Sequence, residues 1–328
     1  MTKTVAMYEG SYEHIEPKLS GLTLDLDVLT FDVDGLFRVD GKPMRADQLA
    51  ADFIWLSPHV KRDGCFETAF DVALQLRGLK VLQTFNAGLD DPAYRRIADA
   101  GITICNSSAQ GIAIAEYVIG QVLGLFQPIA EQREMQTARE WRTTPHREIS
   151  RTHWLIVGYG PIGSALAQRV KAFGAQVSAI RRSGRPDACV DRVGTSADLS
   201  AFLPDADVIV IACPLNDATR GMVGEAFLSS VKPDAILVNV ARGGLIDDAA
   251  LVRALDSGRL GTAVLDVFHT EPLPDDDPLW SHPGVRVTPH TSFAGDGVQD
   301  RWDQLFLDNI QRFIRGEELI RVVDPAQI

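Results

Sequence analysis

The chain has 328 residues, 45% of them hydrophobic, and this length and composition predict a folded protein of about two domains. Its formal charge of -12 is spread without long runs of like charge or a basic-aromatic stripe, so nucleic acid is not an expected partner. No apolar stretch approaches the roughly 18 residues of a membrane span, and the first residues lack a signal-peptide pattern. We therefore expect a cytoplasmic protein with no membrane partner. No metal site or disulfide framework is expected, because no CxxC pair occurs among Cys65, Cys105, Cys189 and Cys213.

The first third of the chain alternates strand and helix patterns. A helix is predicted from Pro92 to Ala100, because Gly101 suits the residue that ends a helix. A longer helical pattern covers 111–139, and Pro128 is expected to kink or break it. The alternation predicts a parallel βα sheet. Its strands are predicted at 4–7, 28–31, 53–56, 81–84 and 102–105.

A second series of short apolar runs follows the loop around Pro145. Nearly continuous apolar strands are typical of a parallel sheet that is covered on both faces. Six of them predict a doubly wound dinucleotide-binding sheet. The tail at 297–315 is helical and could pack on either unit. The six strands are predicted at 154–157, 177–180, 208–212, 236–239, 263–267 and 285–288.

A glycine fingerprint lies between the first strand of this series and a predicted helix at 164–173. Gly158 allows a tight turn, Gly160 allows close approach of a pyrophosphate, and Gly163 allows the helix to pack near the strand. The helix N-terminus offers N–H groups and a partial positive charge to the phosphates. The pattern therefore predicts a bound dinucleotide.

The next predicted strand ends at Ile180, where an NAD-specific site carries an acidic residue for the ribose hydroxyls. Arg181, Arg182 and Ser183 stand there instead, with Arg185 nearby. Guanidinium groups suit a 2′-phosphate, so we predict that NADPH and NADP are preferred over NADH and NAD. The alternative is that these arginines only face solvent in a loop.

Three further residues follow the ends of later strands. The carboxyl ends of parallel strands lie at one edge of a sheet, so Arg242, Glu271 and His290 are expected to converge there. Arg242 suits a substrate carboxylate or ketone, His290 is the predicted proton donor, and Glu271 is its predicted partner. Asp266 is a weaker candidate for orienting the nicotinamide amide. This set predicts hydride transfer to a 2-oxo acid.

These motifs resemble those of the D-isomer-specific 2-hydroxyacid dehydrogenases. The resemblance runs from Asn86-Ala87-Gly88-Leu89-Asp90 to Thr288-Pro289-His290, and its most specific stretches are Asn239 to Asp247 and Leu265 to Leu273. It implies an NAD(P)-dependent enzyme in which the arginine binds substrate, the glutamate supports the histidine, and the histidine is the acid and base.

The resemblance also implies an α/β architecture of two doubly wound parallel-sheet domains. A flavodoxin-like substrate-binding domain would comprise 1–110 and 291–328, and an inserted Rossmann domain that binds NAD(P) would comprise 111–290. A homodimer through the nucleotide domain is usual in the family. Backbone N–H groups near Asn86, Ala87 and Gly88 would hold the substrate carboxylate. The implied cofactor contacts are Pro161 and Ile162 to the phosphates, Cys213 and Pro214 beside the adenosine, and Val240, Asp266 and His290 near the nicotinamide.

Two departures from the commonest family pattern bear on function. Arg181 replaces the usual aspartate, which resembles the NADP-using glyoxylate and hydroxypyruvate reductases, and Ser292-Phe293 replaces smaller residues after His290. The prediction is therefore reduction by NADPH of a small 2-oxo acid, such as glyoxylate or hydroxypyruvate. The alternatives are an NAD-linked dehydrogenase of phosphoglycerate, formate or phosphite, and a nucleotide sensor of the corepressor type. Residues that could line the pocket or simply pack or face solvent are His59, His269, Trp141, Trp280 and Trp302.

Overall fold

The computed structural model describes residues 2–328, and Met1, the first residue of the predicted substrate domain, lies outside them. Two compact units are formed, one up to Ala109 together with Asp296–Ile328, and the other over Gln110–Gly295. The family resemblance implies that Gln110 and residues 291–295 belong to the substrate-binding domain, but in the structure they fall in the second unit.

The first unit contains a parallel sheet with helices between its strands. Strands β2, β1, β5, β6 and β7 are parallel neighbours in that order, which is the order of flavodoxin-like sheets. The elements are β1 (Lys3–Tyr8), α1 (Glu9–Ser20), β2 (Leu26–Phe31), β3 (Phe37–Val39), β4 (Lys42–Met44), β5 (Phe53–Leu56), α2 (His59–Arg62), α3 (Phe66–Gln75), β6 (Val81–Thr84), α4 (Pro92–Asp99) and β7 (Thr103–Cys105).

An antiparallel hairpin corrects the prediction of a wholly parallel first sheet. Strand β3 pairs antiparallel with β2 and with β4, and Val39 lies opposite Lys42. Asp40 and Gly41 connect them with φ values of 50° and 74°, the left-handed pair that a two-residue hairpin turn requires. Pro43 lacks an N–H group, and it lies in the edge strand β4, where that group is not needed.

The second unit contains the predicted doubly wound sheet. All its strand pairs are parallel, in the order β10-β9-β8-β11-β12-β13-β14, so within the described residues one more strand, β10, joins the six predicted ones. The elements are α5 (Gly111–Phe126), α6 (Ile129–Ala138), β8 (His153–Val157), α7 (Pro161–Ala172), β9 (Gln176–Ile180), β10 (Arg192–Gly194), β11 (Val208–Ile211), α8 (Glu225–Ser230), β12 (Ile236–Asn239), α9 (Asp248–Asp256), β13 (Thr262–Leu265) and β14 (Val285–Val287). The predicted α/β class with two doubly wound sheets is confirmed.

Alternate residues of the central strands enter two different cores. In β8, Leu155 and Val157 pack with one apolar cluster, while Trp154 and Ile156 pack with the other. Strand β11 divides in the same way. Both faces of this sheet are therefore buried, which explains why its strands read as continuous apolar runs.

Prolines set where two of the predicted helices in the second unit break or begin. The long helical pattern is divided at Pro128 into α5 and α6, which are bent by 52°. By length and composition, no single helix within residues 2–328 could cross a membrane, and the bent pair α5 and α6 passes that test only jointly. Helix α7 begins at Pro161, three residues before the predicted start at Ser164, because proline is well suited to the first helical position.

The last helix, α10 (Val298–Arg315), belongs to the first unit. Phe306 stacks on Trp55 with ring centroids 4.2 Å apart and planes 8° from parallel, and Phe313 meets Phe53 edge to face at 5.6 Å. The residues of α10 thus complete the core beside β1 and β5. The sequence alone had left either unit open for this helix.

Candidate active site

A glycine-rich turn connects β8 to α7. Gly158 has a φ of 106°, and a Cβ there would lie 2.4 Å from the backbone nitrogen of Cys213. A Cβ at Gly163 would lie 2.2 Å from the carbonyl oxygen of Gly158. Both positions therefore require glycine, the first beside the end of β11 and the second for close helix packing. A Cβ at Gly160 would meet nothing within 4 Å, so open space lies there.

The N-terminus of α7 begins at this open space. Gly160 is the N-cap residue, and no side chain caps this helix end. Pro161 has no N–H group, but the N–H groups of Ile162 and Gly163 belong to the first turn, where helical acceptors are lacking. These groups and the positive end of the helix dipole suit an anion. A side chain at position 160 would fill the space, so the residues present fit the pyrophosphate of a dinucleotide.

Arg181, Arg182 and Ser183 follow β9 in an irregular segment. The backbone N–H of Arg181 donates to the carbonyl of Gly194 at 2.9 Å, and its guanidinium lies over the ring of Tyr159, 5.2 Å from the centroid. Arg182 and Ser183 are exposed. A cationic side chain is thus held where a carboxylate would bind the ribose hydroxyls of NAD.

Cys213, Pro214 and Val240 lie just beyond the carboxyl ends of β11 and β12. Burial raises the pKa of Cys213 to about 11, so the thiol stays protonated near neutral pH, and its Sγ lies 3.8 Å from Sδ of Met222. Pro214 is exposed and Val240 is buried. Strands β8 and β11 are neighbours at the point where the order of the sheet reverses, which is where open α/β sheets bind ligands.

Arg242 lies in the loop after β12, and this loop is pressed against the loop after β13. A Cβ at Gly243 would lie 2.0 Å from the carbonyl carbon of Phe268, so only glycine permits the contact. Arg242 Nη1 donates to the carbonyl of Ala241 at 2.8 Å, and the Asn239 amide donates to the Arg242 carbonyl at 2.9 Å. The backbone of Arg242 is therefore fixed on the sheet edge that also carries Glu271.

His290 and Glu271 form the predicted pair. Nδ1 of His290 lies 2.7 Å from Oε2 of Glu271, and Oε1 of Glu271 accepts from the N–H of Phe268 at 3.0 Å. His290 has a φ of 47°, a left-handed conformation that is uncommon for a residue other than glycine. Its N–H donates to the carbonyl of Asp266 at 2.8 Å, which holds this backbone conformation. The bond to Glu271 engages Nδ1 and orients the ring, so Nε2 is the nitrogen that this pair does not use.

Asp266 is fully buried and binds the loop that carries His290. One carboxylate oxygen accepts from the Thr288 hydroxyl at 2.7 Å and the Thr291 N–H at 2.8 Å, and the other accepts from the Ser292 N–H at 3.0 Å. Because the Thr288 proton goes to Asp266, the Tyr117 hydroxyl, 2.5 Å from Thr288 Oγ1, is the donor in that contact. Of these three residues, only Asp266 is a candidate from the sequence, whereas Thr288 and Tyr117 are found from the structure.

Phe293 was noted in the sequence only as a departure from smaller residues. Its ring meets that of His290 edge to face, with centroids 6.0 Å apart, and it is 39% exposed. An aromatic surface therefore lies beside the histidine.

The segment Asn86, Ala87 and Gly88 lies after β6 in the first unit. The Asn86 amide donates to the Tyr94 hydroxyl at 2.8 Å, and the carbonyls of Asn86 and Ala87 accept from Ser107 and Asn106. Within residues 2–328, no hydrogen bond is donated by the N–H groups of Ala87 or Gly88. These two groups are thus oriented by a fixed backbone and suit an anionic ligand.

The remaining aromatic and histidine candidates have ordinary surroundings. His59 is buried beside Ser57 and His14, and burial lowers its pKa. Trp141 is fully exposed. Over the described part of the chain, no group of three or more His, Cys, Asp or Glu residues could hold a metal ion. The side chains of the other three candidates bond to backbone carbonyls: His269 to that of Ile246, Trp280 to that of Pro274 and Trp302 to that of Phe85.

Known proteins resemble this chain in sequence and in fold. The sequence profile of the family "D-isomer specific 2-hydroxyacid dehydrogenase, NAD binding domain" matches residues 119–292. A glyoxylate/hydroxypyruvate reductase A of Serratia proteamaculans is 32% identical over 289 residues, which cover 85% of this chain and 88% of that protein.

Two crystal structures match nearly the whole chain. A D-isomer specific 2-hydroxyacid dehydrogenase family protein of Aeromonas salmonicida has a TM-score of 0.77 at 32% identity, covering 99% of this chain and 100% of the other. An NADPH-dependent glyoxylate/hydroxypyruvate reductase of Sinorhizobium meliloti, in complex with NADP and sulfate, has a TM-score of 0.76 at 26% identity, with 99% of each chain covered. The resemblance seen in the motifs is confirmed: the chain belongs to the D-isomer specific 2-hydroxyacid dehydrogenases and is an NAD(P)-dependent oxidoreductase.

Proposed function

We propose that this protein reduces a small 2-oxo acid, such as glyoxylate or hydroxypyruvate, to the D-2-hydroxy acid with NADPH. The observation that carries the proposal is the contact of 2.7 Å between Nδ1 of His290 and Oε2 of Glu271. Reduction of a ketone needs one proton at the oxygen, and a histidine oriented by a carboxylate is suited to deliver it.

The residues that hold the cofactor are those of the glycine turn and the following strand ends. The turn of Gly158, Gly160 and Gly163, with the N–H groups of Ile162 and Gly163, would receive the pyrophosphate. Cys213 and Pro214 would lie beside the adenosine, and Val240 and His290 near the nicotinamide. Asp266 is fully buried and both of its carboxylate oxygens bond to the loop that carries His290, so it would act through that loop rather than by direct contact. When bound, the nicotinamide supplies the hydride that the substrate carbon receives.

His290 transfers the proton, and Glu271 supports it. The imidazolium donates from Nε2 to the carbonyl oxygen as that oxygen gains negative charge, and Nδ1–H stays bonded to Glu271. The carboxylate stabilises the ring cation before transfer and fixes the tautomer after it. In the reverse direction the same nitrogen accepts the hydroxyl proton.

Arg242 and the backbone of residues 86–88 are the proposed substrate-binding groups. The planar fork of Arg242 matches the oxygens of a 2-oxo acid, either at the carboxylate or at the ketone. From the family resemblance we assign the carboxylate also to backbone N–H groups near Asn86, Ala87 and Gly88. An acidic protein of charge -12 repels small anions over long range, so such local positive groups are needed.

NADPH is the proposed cofactor because Arg181, Arg182 and Ser183 occupy the end of β9. The reductase of Sinorhizobium meliloti, which matches this chain, is NADPH-dependent and was solved with NADP. The family resemblance also supports a homodimer, which light scattering after size-exclusion chromatography would test.

The test is a substrate screen that follows nicotinamide absorbance, with glyoxylate and hydroxypyruvate offered with NADPH and with NADH. His290→Ala should lower kcat about 100-fold or more, whereas His146→Ala, an exposed histidine of the same unit, should not. Arg242→Ala should raise KM, and exposed Arg151 provides the matched control.

The alternatives have separate readouts in the same screen. Turnover only of formate, phosphite or phosphoglycerate with NAD would replace the proposal with an NAD-linked dehydrogenase. Nucleotide binding without turnover of any substrate would favour a sensor. Full activity of His290→Ala would remove the assigned acid and base.

A further inference from the structure

Arg181 is held by one backbone hydrogen bond and two side-chain contacts. Its backbone N–H donates to Gly194 at 2.9 Å, and Nη1 donates to the carbonyl of Arg185 at 3.3 Å. Gly184, with a φ of 57°, makes the turn that brings that carbonyl back. The third contact is the ring of Tyr159, whose centroid lies 5.2 Å from Cζ. A long, flexible cation is therefore held in place before any ligand binds.

Tyr159 is itself anchored. Its hydroxyl bonds to the carboxylate of Asp187, and that carboxylate also accepts the N–H of Cys189 at 2.9 Å. Burial, together with this bond, raises the pKa of Tyr159, so the phenol remains a donor at all ordinary pH values. The ring consequently has a fixed position at the glycine turn, beside the end of β9.

The charge of Arg181 is not neutralised by a close acid. No ion pair within 4.0 Å joins Arg181 to a carboxylate anywhere in residues 2–328, although Asp187 is nearby. Within the same residues, its Nε and Nη2 atoms donate no hydrogen bond. The charge of Arg181 helps to lower the pKa of Asp187, but its guanidinium retains unused donors for an incoming anion.

We propose that Tyr159 is a specificity-determining residue for the 2′-phosphate of the cofactor, because its ring holds the Arg181 guanidinium in place to bind that group. The proposal rests on the proposed use of NADPH and adds a positioning residue to it. Tyr159 acts through Arg181 and needs no contact with the phosphate. The chemistry recognised is an adenosine bearing a 2′-phosphate.

The test measures binding of adenosine 2′,5′-bisphosphate and of 5′-AMP by calorimetry, with no turnover involved. Tyr159→Leu should weaken the bisphosphate about two- to fivefold, the scale of a cation-π contact. It should leave 5′-AMP unchanged, and this second ligand also reports that the variant is folded. Tyr159→Phe keeps the ring and should retain most of the bisphosphate affinity.

A double-mutant cycle with Arg181→Gln distinguishes the positioning role from a direct one. Once Arg181 is replaced, Tyr159→Leu should cause no further loss of bisphosphate affinity, since the residue through which it acts is gone. An equal loss in both backgrounds, or an unchanged affinity in Tyr159→Leu alone, would overturn the inference while leaving the NADPH proposal intact. If Arg181→Gln itself left the bisphosphate affinity unchanged, the role of Tyr159 would fail, and the NADPH proposal would rest on Arg182 and Ser183. If wild type bound the bisphosphate no more tightly than 5′-AMP, the NADPH proposal itself would fail.

Discussion

Replacing Gly243 by alanine should damage the active site through a backbone displacement that can be measured from the structure. The added Cβ would lie 2.0 Å from the carbonyl carbon of Phe268, whereas ordinary contact begins at 3.4 Å. The difference, about 1.4 Å, must be taken up by moving the loop that carries Arg242 or the loop that carries Glu271. Neither contacting group is a flexible side chain, so the displacement involves backbone.

A displacement of this size has two expected costs. A misplacement of about 1 Å costs roughly 100-fold in rate, so we expect kcat/KM for the 2-oxo acid to fall by about that factor. Forced overpacking costs about 1–3 kcal/mol, which should lower the free energy of unfolding by the same amount. Steady-state kinetics and urea denaturation measure the two effects, and NADPH binding shows whether the nucleotide site remains intact.

Gly244 offers a matched control in the adjacent position. A Cβ there would lie 3.1 Å from Cδ2 of Leu215, a side-chain carbon that can move aside. Gly244→Ala should therefore keep kcat/KM within about threefold, as for a tolerated substitution. If Gly243→Ala were as active as Gly244→Ala, the contact between the two loops would not position the site.

Three further predictions concern the same unit. Thr288→Val removes the hydroxyl between Tyr117 and Asp266 and should lower kcat about tenfold by shifting His290, with NADPH affinity kept and with Thr288→Ser restoring the rate; unchanged kcat would contradict it. Burial opposes ionisation of Asp207, but bonds from Lys232 and His153 and the charge of Arg147 outweigh it and lower its pKa. This stabilisation is present above the unfolded pKa of about 3.9 and is lost as pH falls through the lower folded value. Asp207→Asn should therefore cost about 1–3 kcal/mol at pH 7 in urea denaturation, and an equal difference in strong acid would refute the argument. Because the pKa of Cys213 is about 11, its alkylation by iodoacetamide, followed by mass spectrometry, should rise about tenfold per pH unit from pH 8 to pH 10. NADPH should slow it, and rapid modification at pH 7 would be inconsistent with a thiol whose pKa is raised by partial burial.

Much of the fold could be predicted because the apolar runs of the second sheet are dictated by burial on both faces. Strands at Trp154, Val208 and Ile236 were located within one residue for this reason. The hairpin at Asp40-Gly41 was missed although the turn pair is a recognised signal, because its strands have only three residues each. Strand β10 is equally short and has one buried residue, Gly194. Such segments depend on their neighbours rather than on their own pattern.

The residues of the site likewise fall into those that the sequence could locate and those that it could not. Gly158, Gly163, Glu271 and His290 could be located from sequence because spacing and chemistry restrict what those positions do. The contact of Gly243 with Phe268 and the bond of Tyr117 to Thr288 could not, since they join residues far apart in the chain. Thr288 carried a weak signal as part of Thr-Pro-His, but Tyr117 lies in a helix whose pattern only indicates packing.

The return of α10 to the first unit has a consequence for synthesis on the ribosome. The second unit is one continuous stretch, Gln110–Gly295, and can fold once that stretch has emerged, whereas the first unit still lacks the helix that stacks Phe306 on Trp55. At about 5–20 residues per second, the 186 residues from 110 to 295 take about 10–40 s to make, and α10 follows only after them. During that interval the apolar surface beside β1 and β5 is uncovered, so we expect the nascent first unit, and not the second, to be the part that chaperones bind.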